Sequence, residues 1–220
     1  MSPGTRKFAL TTHTIVSVGW IGAVLAYLAL VLTAMSDQDH EALRAVWSAL
    51  YVIGWYVIVP LAIAALGTGL IMALGTAWGL FRHYWVVTSL LLTVVATAVL
   101  LTHMSTVTSL AGLAAKGDAA NVGVLRAGLR GELLHAGLGV IVLLAVAALN
   151  VYKPRGMTAY GLRAAQRVAP THTVDEIRAA VGTRVVRGTP LWVHAVWIHA
   201  VVLMLLFAIF HLAGGGFRHG

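Results

Sequence analysis

Ten histidines carry most of the chemistry this sequence can offer, and six of them fall inside long apolar runs: His13, His103, His135, His194, His199 and His211. An ionisable side chain in a stretch apolar enough to cross a membrane is costly there and marks a functional position. A neutral imidazole can supply an axial bond to iron, and its other ring nitrogen can anchor it. The other four, His40, His83, His172 and His219, lie in polar or basic connecting stretches and the tail. They read as surface residues, with His83 an interfacial anchor beside Arg82.

Helical phase sorts the six. His13, Ser17, Trp20, Val24 and Tyr27 form one stripe of the first apolar helix, while Ile15, Val18, Leu25 and Leu32 cover its other faces. On the last run, with His194 as zero, His199 lies about 140° round and His211 about 260° round. The three cannot share one cavity, and His194, close behind Pro190, falls at the interface. The pairing left by depth is His13 with His199 near one face and His103 with His135 near the other, with His211 in reserve. Paired imidazoles near both ends of a bundle predict one or two b-type haems. Trp20 would wall the inner cavity, and Arg126 and Arg130 could neutralise porphyrin carboxylates above the outer pair. The alternative for each histidine is a hydrogen bond to a backbone carbonyl or a neighbouring hydroxyl.

Other patterns point less far. Glu132 and His135 have the i, i+3 spacing of a di-iron ligand pair, but such sites need a second copy and more carboxylates than seven acidic residues provide. Six scattered methionines do not make a copper relay, and the absence of cysteine excludes disulfides, thiolate sites and iron–sulfur clusters. Gly67-Thr68-Gly69 follows no strand, so it reads as helix packing and not as a phosphate loop.

The elements that must position these residues follow from composition. Of 220 residues, 60% are hydrophobic and 10% charged, against about a quarter charged in a soluble domain, so the bilayer is the solvent. The expectation is an all-α, polytopic bundle forming a single domain over 1–220, with five spans at about 9–34, 47–74, 85–109, 132–152 and 191–213. The first run is too long for a signal peptide. Pro60 predicts a tilt or kink in the second span, whose Ala64, Ala65, Gly67 and Gly69 offer a small-residue face. The loop 36–41 is acidic and suited to capping the next helix. The stretch 110–131 reads as a loop carrying Arg126 and Arg130 on an interfacial helix. Lys and Arg divide ten to five, with most of the ten in a basic loop at 153–190. That bias predicts the N-terminus in the cytoplasm and the C-terminus outside, in a bacterial inner membrane. The net charge of +8 is then a topology signal and not a nucleic-acid footprint.

Several stretches carry a resemblance. Pro60…Gly67-Thr68-Gly69…Leu74-Gly75-Thr76-Ala77-Trp78-Gly79-Leu80-Phe81-Arg82-His83-Tyr84-Trp85 resembles an uncharacterised family of small bacterial integral membrane proteins. So do Val151-Tyr152-Lys153-Pro154-Arg155-Gly156 and His211-Leu212-Ala213-Gly214-Gly215-Gly216. More distantly, His13, Trp20 and Gly22 resemble the first helix of copper-resistance D membrane proteins and of J-type protoporphyrinogen oxidases. That likeness implies haem association through His13. It does not extend to porphyrin oxidation, since the lysine which the oxidases use on their third helix is missing around Val87-Thr88-Ser89-Leu90.

The function expected from these readings is haem b binding, for electron transfer or as a haem-bearing accessory subunit, without independent catalysis unless redox. Partners would be the lipid bilayer and other membrane redox subunits or further copies of the chain. The alternatives are a transporter of a metal ion or small solute, and a structural subunit of a larger membrane complex.

Overall fold

The computed structural model describes residues 1–75, 80–153, 157, 158, 160, 161, 163, 198 and 202. All the named elements among them are helical. α1 is Pro3–Ser36; α2 (His40–Ile53) passes through a π turn (Gly54–Ile58) into α3 (Val59–Gly75); α4 is Tyr84–Lys116; and α5 (Val122–Tyr152) follows a short 3-10 turn. Counting α2 to α3 as one, four helices among the described residues are long and apolar enough to cross a membrane. The proposed fifth span at 191–213, with His194, His199 and His211, and most of the basic loop at 153–190 lie outside the described residues.

Local chemistry sets the helix ends. Pro3 opens α1, and the Ser2 hydroxyl accepts the Thr5 N–H at 3.2 Å. The acidic loop caps as its sequence predicts: the Asp39 carboxylate accepts the N–H groups of Glu41 and Ala42. α4 stops at Gly117, whose φ of 78° suits a residue without a side chain. There the Arg44 guanidinium donates to the Ala114 carbonyl at 2.8 Å, satisfying an acceptor of the last turn.

The spans run up and down in sequence order. α1 packs on α3 and α5, and α4 packs on α2, α3 and α5, so each span touches the next and the last touches the first. On α1 the buried residues are Trp20, Val24, Tyr27, Val31 and Ala34, alternating steps of four and three that keep one seam turned inward. Ile15, Val18, Leu25 and Leu32 on its other faces are exposed, as an outer surface in lipid requires. The small-residue face of α3 is shifted from the predicted one. Ala62 and Ala65 are buried, Gly69 lies against His13, and Gly67 has nothing near its missing Cβ.

Two elements depart from the sequence reading. The stretch 110–131 is not a loop with a separate interfacial helix, because α4 and α5 continue through it to a turn at 117–121. The inward pattern persists there, with Ala114, Leu125 and Leu129 all buried, so both helices keep a partner to pack on. The expected irregularity at Pro60 takes the form of a π turn just before it. Proline has no N–H to give the carbonyl four residues back, and the wider turn, closed by Val59 N–H on the Gly54 carbonyl, absorbs that loss.

Candidate functional site

The bundle brings four polar side chains from three helices together. Glu132 of α5 is 1% exposed, so its carboxylate must find partners within the protein. The Tyr27 hydroxyl of α1 donates to Glu132 Oε2 at 2.7 Å. His103 Nε2 of α4 lies 3.0 Å from both carboxylate oxygens. A proton on that line belongs to either partner: the imidazole donates it to a carboxylate, or the carboxylic acid donates it to the ring.

His135 completes the group. Its ring stacks on that of His103 with centroids 3.6 Å apart and planes 12° from parallel. Its Nδ1–H donates to the Gly131 carbonyl at 3.1 Å, since a carbonyl can only accept. One turn of helix separates Glu132 from His135, so α5 presents both to the same interior.

The cluster lies deep. His103 is thirteen residues from Lys116 and Glu132 ten from Val122, about 20 and about 15 Å of helix. Because α4 and α5 run on past the predicted loop, this group lies well inside the bundle and not beside the turn that joins the two helices. A cavity of about 110 Å³ opens next to it, walled by Trp20, Val24, Gly54, Ile58, Leu100 and Met104 among others. Gly54 and Ile58 bound the π turn, so the irregular segment of the second span also shapes this cavity. Met104 is packed against Gly54, where a Cβ would come within 2.7 Å of its methyl carbon. Trp55 donates its indole N–H to the Thr108 hydroxyl at 3.0 Å and ties the π turn to α4.

The other predicted residues are placed as follows. His13 is half-buried on the far side of Trp20 and lies between α1 and α3. Its Nδ1 is 2.9 Å from the Thr68 hydroxyl, which itself donates to the Ala64 carbonyl at 2.7 Å. With the hydroxyl hydrogen so engaged, His13 must be the donor, which leaves Nε2 with a lone pair. Gly69 gives the ring its seat, since a Cβ there would meet His13 Cε1 at 3.2 Å. Arg126 donates to the Asp37 and Gln38 carbonyls, both at 2.9 Å, and clasps α5 to the loop after α1. Arg130 is exposed one turn further along. His199 and His211 lie outside the described residues.

His103 and His135 are thus together, as the sequence suggests, but face to face; to hold an iron between them the rings would have to part. Among the described residues no group of three or more His, Cys, Asp or Glu side chains is arranged to hold a metal ion. Two members of the cluster are not singled out by the sequence pattern: Tyr27 is on the first-helix stripe without a role, and Glu132 stands only in a di-iron spacing that the few carboxylates rule out. The signal that finds them is simpler: Glu132 is a lone acid inside the inward pattern of α5, and such a group needs donors from neighbouring helices. Comparison of the chain with family models, with curated proteins and with solved structures finds no match.

Proposed function

We propose that this protein is a proton-coupled membrane carrier of a small solute, in which the Glu132–His103 pair holds the exchangeable proton. One observation carries the reading: a buried carboxylate shares a hydrogen with an imidazole, deep in a membrane-spanning bundle, beside a cavity. A carboxylate and an imidazole in contact exchange a proton with little motion, and within membranes such pairs serve as proton relays. Tyr27 orients the carboxylate and His135 packs the face of the His103 ring.

The topology proposed with it adds a fifth span at 191–213, a cytoplasmic N-terminus and an external C-terminus in a bacterial inner membrane. Charge supports that orientation. Among the described residues the end holding the N-terminus carries Arg6, Lys7, Arg82, Lys153 and Arg163 with no acid. The opposite end carries Arg44, Lys116, Arg126 and Arg130, and over the whole sequence the proposed topology divides Lys and Arg ten to five.

The test is proton movement in proteoliposomes that enclose a pH dye, challenged in turn with small cationic, neutral and anionic compounds. At least one class should drive protons across the wild-type membrane and none should do so with Glu132→Gln. Silence with all three classes contradicts the reading.

A second reading, haem b bound for electron transfer or in an accessory subunit, is favoured by His13. Donating Nδ1–H to a fixed hydroxyl is how metal-ligating histidines are oriented. Its proposed partner is His199. The absorption spectrum of protein expressed with haem supply decides it: a Soret band lost in His13→Ala supports this reading, and no Soret band ends it.

A further inference from the structure

The cavity and the cluster together define what the site can accept besides a proton. Among the described residues the titratable groups that face Glu132 are Tyr27 from α1, His103 from α4 and His135 from α5, while the π turn between α2 and α3 contributes Gly54 and Ile58. No lysine or arginine lines the cavity among the described residues. With both histidines neutral and Glu132 ionised, the described groups around the cavity sum to one negative charge. A net charge so deep in a bilayer-spanning bundle is strongly disfavoured. Two species can cancel it: one added proton, or one monovalent cation.

The wall decides which kind of cation. Trp20, 4% exposed, and Tyr27, bonded to Glu132, both line the cavity, while most of the remaining lining is aliphatic. Such a wall offers an inorganic ion too few oxygen ligands. It suits an organic cation, whose apolar body is buried and whose charge meets aromatic faces and a carboxylate. An apolar cavity of about 150 Å³ takes one benzene, so a compartment near 110 Å³ takes a body smaller than benzene, a few carbons around one nitrogen. Its lining reaches Ile141, half-exposed on the outer surface of α5, which gives an amphiphilic molecule a lateral way in from the lipid.

Resting on the proton-carrier reading, we infer that the solute is a small lipophilic ammonium compound that displaces the proton of the Glu132–His103 pair when it binds. The exchange balances: one positive charge enters, one proton leaves to solvent, and no bond to carbon changes. Occupation by the proton and by the cation exclude each other, which is the condition for antiport.

The probe is tetramethylammonium, compared with its uncharged isostere neopentane, in weakly buffered solutions of the detergent-purified protein containing a pH indicator. Binding of the cation should release about one proton per site, fall at least tenfold in affinity in Glu132→Gln, and weaken with rising acidity. The isostere should release none. Trp20→Leu should weaken the cation more than the isostere, a comparison that still reads out if the Glu132 variant fails to fold. Cation binding without proton release, or equal binding of cation and isostere, overturns the inference. The two claims fail separately: proton movement driven by a neutral or anionic compound leaves the carrier standing and removes the ammonium ligand.

Discussion

At the scale of single residues the account turns on Glu132, which is tolerable inside the bundle because hydrogen-bond partners reach it from two other helices. Removing one donor should show as stability. Tyr27→Phe is expected to cost about 0.6–1.7 kcal/mol, the range of interhelical hydrogen bonds measured in membranes. In a Glu132→Leu background the same change should cost nothing further, because the acceptor is already gone. Unfolding in mixed detergent micelles measures both, and an equal cost in the two backgrounds would show that Tyr27 does not act through Glu132. Much of this cluster is legible in the sequence. His103 and His135 meet across consecutive helices, though stacked and deeper than the sequence suggests, and the Trp20–Tyr27 stripe is buried. What cannot be read from one chain is rotation about the helix axes: whether two imidazoles stack or open towards a third group depends on angles that apolar patterning fixes only coarsely.

At the scale of elements, the segment Gly54–Ile58 joins the packing of the second span to the shape of the cavity. Gly54 is where Met104 comes closest, and a side chain there would have to displace it. Gly54→Leu should destabilise the protein by about 1–3 kcal/mol through overpacking. Met104→Ala in the same chain should recover part of that loss, as read from thermal denaturation in detergent. No recovery would mean that the π turn itself, and not the methionine, resists the side chain. Pro60 announces an irregularity in the sequence but not its kind, because a kink and a widened turn both relieve the missing N–H. The continuation of α4 and α5 through 110–131 was hidden by composition. Glycine and alanine suggest a loop when counted, yet Ala114, Leu125 and Leu129 keep the inward register of a helix.

At the scale of the whole molecule, apolar composition alone foretells a helical membrane protein, and four spans joined in sequence order satisfy it. Orientation is a separate matter of end charge, and the absence of native cysteine makes it simple to measure. A single cysteine at Ser2→Cys should be shielded from a membrane-impermeant maleimide in spheroplasts, while one at Gln38→Cys should react. A reactive Gly220→Cys would add the fifth span, since an odd number of crossings puts the two termini on opposite sides. A shielded Gly220→Cys with shielded Ser2→Cys would refute it.

The most direct test of the central claim is the protonation of Glu132 itself, seen by infrared difference spectroscopy of the protein in lipid as pH is stepped. The wild type should show a carboxyl band that rises and falls reversibly, is absent from Glu132→Gln, and shifts in Tyr27→Phe as a hydrogen bond is lost. Identical pH-difference spectra for wild type and Glu132→Gln would mean that Glu132 holds no exchangeable proton.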